Sequence, residues 1–274
     1  MCGRHFTLAK LSSGQLWSSY TQGKQTYAQL AAQYGCSIRT VQRKIDKASV
    51  SKVNEFPSVV NVLMATTYFG RTFGVMVFMD SLTGHVLYKQ YVKNETNALY
   101  YQGIEEIVHR GITVQSIICD GRKGVIELFP DIPCQLCQFH QIQIITRHLT
   151  RKPKLEAAVE LRSLACQLTK ADKESFIRKL QMWKDKWDKF LNERSISSAT
   201  GKSFYTHQRL RSAYFSLKRN MSHLFVFQDY QELGIPNTTN MLDGTFSDLK
   251  NKLRNHNGLN INRKKKFIDE FFKA

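Results

Sequence analysis

Residues 113–149 read TVQSIICDGRKGVIELFPDIPCQLCQFHQIQIITRHL, and the punctuation of this stretch decides the fold. Residues 113–119 alternate and then close in an apolar run, as a strand entering a core does, and Asp120-Gly121 follows where that strand must end. A carboxylate there is held by a rigid element yet faces solvent. That suits a metal ligand, while Asp-Gly after a strand is also ordinary turn chemistry. Further on, Cys137-Gln138-Phe139-His140 opens a predicted helix whose Phe139, Ile142, Ile145 and Leu149 share one side.

Working outward, residues 59–66, 73–79 and 86–92 are rich in β-formers, and Gly70-Arg71 and Ser81-Leu82-Thr83-Gly84 separate them. Connections this short predict an antiparallel meander. Residues 96–110 carry a helical pattern that Gly111 ends as a C-cap does. Antiparallel strands, then a helix, then the strand to Asp120 follow the order of a ribonuclease H-like fold, in which the helical crossover brings the fourth strand beside the first. The expected class is α/β, a mixed sheet with an all-helical insertion at 150–220, preceded by a helical domain.

That preceding domain is expected over 11–48. Within QTYAQLAAQYGCSIRTVQRKIDK (25–47), Leu30, Ala31 and Tyr34 form an apolar face, Gly35 permits a sharp turn, and Ser37 caps a second helix. Arg39, Thr40, Gln42, Arg43 and Lys44 lie on that second helix with Val41 and Ile45 turned inward, the layout of a DNA-binding helix-turn-helix; an ordinary pair of helices has the same apolar spacing. Residues 49–58 are polar and form a linker. Cys2-Gly3-Arg4-His5-Phe6 has the look of the end of a zinc ribbon, with 1–10 as its remnant, but one Cys and one His cannot close a tetrahedral zinc site.

The chain has 274 residues, 42% hydrophobic, with 40 Lys plus Arg against 22 Asp plus Glu, a formal charge of +18. This composition excludes a disordered chain and favours a polyanionic partner, because every cation placed on a phosphate releases condensed counterions. A solvated basic surface is the alternative. No export signal or membrane-spanning run is recognisable, so the six cysteines are expected as reduced thiols in the cytoplasm. Cys134-x-x-Cys137-x-x-His140, with Cys119, has metal-like spacing, yet apolar neighbours of this kind also surround buried thiols, and a structural zinc is not expected.

The runs TTYFGRTFGVMVFMD, ICDGR, CQFHQ and NTTNMLDGTFSDLKNKLRNHNGL, in this order, resemble a Mutator-type insertion-sequence transposase of the acidic-triad class, in its variant with an N-terminal zinc-binding ribbon. The resemblance covers nearly the whole chain and implies a bacterial, nucleoid-associated enzyme. Its ribonuclease H-like domain (59–274) would bind the terminal repeats of an element in double-stranded DNA, cleave strand ends and join them to target DNA, as a homodimer. It implies Mg²⁺, with Mn²⁺ as a substitute, held by three acids. Asp120 matches the second acid and Asp243 the third, where many relatives have glutamate. Ala65 stands where the first Asp is expected, and alanine cannot ligate a metal. Asp80, the nearest acid, is out of phase with that position.

Asp243 precedes a stripe of Phe246, Leu249 and Leu253, so it also suits a helix N-terminus. Lys250, Lys252, Arg254, Asn255 and His256 follow as candidate phosphate contacts or plain helix surface. Cys137 and His140 match the family's C-x-x-H signature, either shaping the active site or serving as core residues. Between 150 and 220, Leu155, Val159, Leu161, Leu164 and Leu168 form one expected apolar face, and Phe176, Leu180, Trp183, Trp187 and Leu191 another. Residues 206–219 are the most basic part of this insertion, which the resemblance makes a surface for DNA and dimer contacts. An inactive copy that occupies DNA ends and competes with active transposase is the alternative function.

Overall fold

A computed structural model describes residues 12–21, 23, 25–49, 56–256 and 259–273. The expected ribbon remnant at 1–10 lies outside these residues, as does most of the expected linker. The chain divides into two compact units, one of Met1–Phe56 with Asp243–Ala274 and one of Pro57–Leu242.

The first unit holds α1 (Ser13–Thr21), α2 (Tyr27–Gln33) and α3 (Ile38–Lys47). Thr26 and Gln29 form a reciprocal capping box that starts α2, and Ser37 accepts from the Thr40 N–H at 3.1 Å to start α3. Gly35 sits between them at φ +58°, a left-handed conformation that glycine adopts without a Cβ clash. Leu30, Val41 and Ile45 are fully buried, each worth about 1.5–3 kcal/mol relative to exposure.

The second unit is built on β1 (Val59–Phe69), β2 (Phe73–Asp80), β3 (Val86–Val92), the helix α4 (Asn97–His109), β4 (Thr113–Cys119) and β5 (Cys134–Leu136). The strand order is β3-β2-β1-β4-β5, with β1–β2 and β2–β3 antiparallel and β1–β4 and β4–β5 parallel. This is the ribonuclease H-like order that the chain order predicts. Thr96 caps α4 through the Leu99 N–H, and Gly111 leaves it at φ +79°. Every residue of β2 is buried, as a central strand requires.

Helices continue from β5: α5 (Gln138–Leu149), α6 (Glu156–Cys166) and α7 (Lys173–Asn192). A two-stranded hairpin, β6 (Arg194–Ile196) and β7 (Ser203–Tyr205), then interrupts the expected all-helical insertion before α8 (Gln208–Leu224) and the single turn α9 (Val226–Asp229). Phe176, Leu180, Trp183 and Leu191 are buried as their spacing predicts. Leu155 and Val159 are not; they are 47% exposed, so the buried face of α6 is Ala157, Ala158, Leu161, Leu164 and Ala165.

In α5, Phe139 is 43% exposed, whereas Gln138 and Gln141 are buried. Both glutamines are satisfied, Gln138 donating to the Leu224 carbonyl at 2.8 Å and Gln141 to Ser216 Oγ at 3.1 Å. Paired polar side chains of this kind leave no trace in an apolar periodicity.

The last helices are α10 (Asn240–Arg254) and α11 (Ile261–Phe272). The sequence places everything after residue 59 in one domain, but packing groups Asp243–Ala274 with α1–α3. The cause is aromatic: Tyr20 lies 4.1 Å from the His256 ring and 6.2 Å, edge-on, from Phe267. Arg263 adds a bidentate pair with Asp46 at 2.8 and 2.7 Å, and Lys266 donates to the Ile45 and Asp46 carbonyls at the end of α3.

Candidate active site

Asp120 lies one residue past the end of β4, half-buried, with the Arg122 N–H donating to its Oδ1 at 3.2 Å. Gly121, at φ +85°, turns the chain sharply after it. The loop is then pinned to the start of α4: Arg122 Nε donates to Asn97 Oδ1 at 2.8 Å, and Asn97 Nδ2 donates to the Lys123 carbonyl at 3.0 Å. Arg122 also faces Glu95 at 3.7 Å, and Glu95 accepts from the buried Tyr100 hydroxyl. Burial, the bond to Glu95 and the nearby charge of Asp120 all push that phenol far above its ordinary range. None of Asn97, Glu95 or Tyr100 carries a sequence signal for this role, because their partners are distant in the chain.

Parallel pairing aligns Val62 with Ile117 and Leu63 with Ile118. Continued by two residues, the same register sets Ala65 level with Asp120 on the same face of the sheet. Ala65 is buried and pairs with Val77 on its other side. Asp80 does not serve in its stead. It is 2% exposed and pairs with Val62, and its carboxylate is consumed by the β2–β3 turn, accepting from the Thr83 N–H at 2.9 Å and the Thr83 hydroxyl at 2.6 Å.

Cys137 and His140 are brought together by the start of α5. The Cys137 N–H donates to the Cys119 carbonyl at 2.8 Å, which anchors the residue to β4. The Thr239 N–H and hydroxyl approach Cys137 Sγ at 3.3 and 3.4 Å, and the same hydroxyl lies 3.4 Å from His140 Nδ1. Burial pushes the Cys137 thiol up, but hydrogen bonds from His140 and Thr239 outweigh it and hold the thiol below its ordinary value. Cys134 differs: it donates to the Ile132 carbonyl, and burial pushes it up to about 12. Cys119 is likewise pushed up by burial.

Asp243 lies in the first turn of α10, where a carboxylate favours the helix dipole. Two hard cations would need carboxylate oxygens from several residues. Among the described residues no group of three His, Cys, Asp or Glu side chains could hold a metal ion. Alanine at position 65 offers no oxygen to such a cation.

In the first unit, a groove of about 480 Å³ runs along α3 and is lined by Ser37, Arg39, Thr40, Gln42, Arg43 and Lys47 among others. Arg39 and Arg43 are exposed. Lys44, on the same helix, is half-buried. On α10, Arg254 is exposed, Lys250 is half-buried, and Lys252 pairs with Asp248 at 2.8 Å. His256 departs from its expected place on a DNA-facing surface: it is 6% exposed against Tyr20 and Phe267, and burial holds it below its ordinary value.

No family model matches the chain, and no curated protein matches it. Among solved structures it is similar to a chain in the cryoEM structure of a simian T-cell lymphotropic virus intasome in complex with PP2A regulatory subunit B56 gamma. Identity is 13%, the TM-score is 0.26, and the match covers 73% of this chain and 72% of that one. Likeness this slight leaves the strand order to carry the fold assignment. No helix among the described residues is long and apolar enough to cross a membrane.

Proposed function

We propose that this chain is a DNA-end-binding protein of the Mutator-type transposase class whose strand-cleavage centre lacks its first carboxylate. One observation carries the reading, the β1–β4 register that ends at Leu63 with Ile118 and, continued by two residues, brings Ala65 level with Asp120 just past β4. A ribonuclease H-like centre needs acids at these two places, one within the first strand and one at the end of the fourth. Asp243 is assigned as the third acid, with Cys137 and His140 supporting the centre from the start of α5.

The duplex partner is read by α3. Arg39, Thr40, Gln42 and Arg43 meet base edges and phosphates of the element's terminal repeats, and Lys44, Lys250, Lys252 and Arg254 add phosphate contacts. The charge of +18 supports a polyanionic partner. In a complete centre, Mg²⁺ or Mn²⁺ would activate the attacking oxygen and neutralise the leaving one. With Ala65 in place, the chain binds ends, as a homodimer, without cutting them, and so competes with active copies.

The test is strand cleavage of labelled duplexes that carry candidate terminal repeats, comparing this chain with Ala65→Asp. Cleavage by the Asp variant alone supports the reading. Equal cleavage by both places the first acid elsewhere, and specific binding with cleavage by neither leaves a DNA-binding protein without a latent catalytic centre.

A further inference from the structure

An open cleft of about 1060 Å³ lies beside the end of β4, walled by the 121–124 loop, α5, α8 and the end of β7. The α8 wall recurs every three or four residues from Gln208 to His223, which is one helix face. A face turned toward its own protein is normally apolar. The packed face of α8 obeys this with Leu210, Ala213, Tyr214, Leu217 and Leu224, and the neighbouring face that lines the cleft carries Arg211, Phe215 and Arg219. Opposite it, α5 contributes Arg147 and His148, and the loop contributes Arg122 and Lys123.

The charge in the cleft is unbalanced. Glu127 is the one carboxylate among the lining residues, against five Lys and Arg side chains. Among the described residues no ion pair involves Lys123, Arg147 or Arg219. His148 registers the resulting field: burial and then the guanidinium groups of Arg209 and Arg147 hold it below its ordinary value. Cations gathered against one another in this way are costly unless an anion joins them.

The cleft also holds flat apolar surfaces. The Arg211 guanidinium lies 3.6 Å from the Tyr205 ring centre and 5.1 Å from that of Phe215. It is fixed there by bonds to the Leu191 carbonyl at 2.9 Å and to Asn192 Oδ1 at 2.8 Å. Phe215 remains 40% exposed. Two aromatic rings are thus braced around an anchored cation while phosphate-binding groups stand around them.

We infer that this cleft binds unpaired nucleotides of a single DNA strand, with bases stacked on Tyr205 and Phe215 and phosphates on Lys123, Arg147 and Arg219. Base-to-ring stacking requires an exposed base face, which an intact duplex covers. The volume lies just above the roughly 300–1,000 Å³ range of small-ligand sites, enough for a few nucleotides and too little for a duplex. Gly121, the residue after Asp120, is part of the wall, so a strand in the cleft runs toward that carboxylate. The choice of DNA over RNA rests on the function proposed above; the stacking geometry does not.

The experiment is anisotropy titration of the full chain with a labelled oligothymidine, an oligouridine of equal length and a duplex. Phe215→Ala and Tyr205→Ala are each expected to weaken oligothymidine binding by roughly five- to a hundredfold. Phe215→Trp retains it, which separates stacking from folding. Arg147→Gln combined with Arg219→Gln is expected to flatten the slope of log affinity against log salt by roughly 1.4 for a single strand. Arg39→Ala with Arg43→Ala weakens the duplex alone. Unchanged oligothymidine binding in both aromatic variants overturns the site, as does equal loss of strand and duplex; oligouridine binding as tight as oligothymidine overturns the assignment to DNA. If Ala65→Asp fails to restore cleavage while these results hold, the reading of the active centre falls and the cleft stands.

Discussion

Ala65 and Asp120 each lie two residues beyond Leu63 and Ile118, the last partners of the parallel β1–β4 pair. A methyl group and a carboxylate thus follow the last pair by the same count, and the function proposed above calls for a carboxylate at both positions. The surrounding scaffold is complete: the β4 loop is braced by Asn97 and Arg122, and the start of α5 is tied to β4 through Cys137.

Arg39→Ala and Arg43→Ala in α3 are expected to weaken duplex binding and to reduce the salt slope by roughly 0.9 for each phosphate left without its cation. Anisotropy across a salt series measures this. A slope unchanged in both variants would remove α3 from the interface.

Gly103→Ala in α4 sets two effects against each other. Alanine improves helix propensity by about 1 kcal/mol, but its Cβ would lie 2.0 Å from Cζ of the fully buried Phe78. Phe78 is hemmed in by Tyr88 and Tyr100, so the ring has no room to retreat. Overpacking of this kind costs about 1–3 kcal/mol and wins, so urea unfolding should show net destabilisation.

Asp46→Asn should loosen α11 from α3. Its bidentate bond with Arg263 comes first among the causes that hold the Asp46 carboxyl below its ordinary value of 3.8. A lowered folded value means that the stabilisation is present above pH 3.8 and is lost as pH falls through the folded value. The pair is partly exposed, with side-chain accessibilities of 26% and 44%, so screening limits the effect to about 0.2–1 kcal/mol. Thermal unfolding of both proteins at neutral and acid pH should show a difference that shrinks toward the acid end.

Thiol labelling of the native protein should modify the exposed Cys166 ahead of Cys119, Cys134 and Cys137, which are all buried. Mass spectrometry of timed digests follows the order. Early labelling of Cys137 would contradict its enclosure by Cys119, Thr239 and His140.

Much of the five-stranded sheet was legible in the chain because strand ends are marked by local chemistry: Gly70-Arg71, Ser81 to Gly84 and Asp120-Gly121 each punctuate a run whose period is two. β3 and β4 match their predicted bounds, while β1 runs on to Phe69. The capped start of α3 was legible for the same reason, Ser37 and Gly35 acting within a few residues. Long-range features left no such trace. β5 is three residues of pairing to β4. The basic character of residues 206–219 was legible, but the cleft was not, because Lys123 and Arg147 reach it from the 121–124 loop and α5, far away in the chain. His256 reads as a polar surface residue until Tyr20 and Phe267 close over it.

The most direct test of the central claim is the thermal midpoint of Ala65→Asp with EDTA and with Mn²⁺, beside the unaltered chain and the double variant Ala65→Asp, Asp120→Asn. A second carboxylate beside Asp120 repels it, so the Asp variant should melt below the unaltered chain in EDTA. Mn²⁺ bound by the pair should then raise its midpoint, by an amount that grows with metal concentration and vanishes in the double variant. A Mn²⁺ shift of equal size in the unaltered chain, or none in Ala65→Asp, would contradict the assignment of position 65 as the missing first acid.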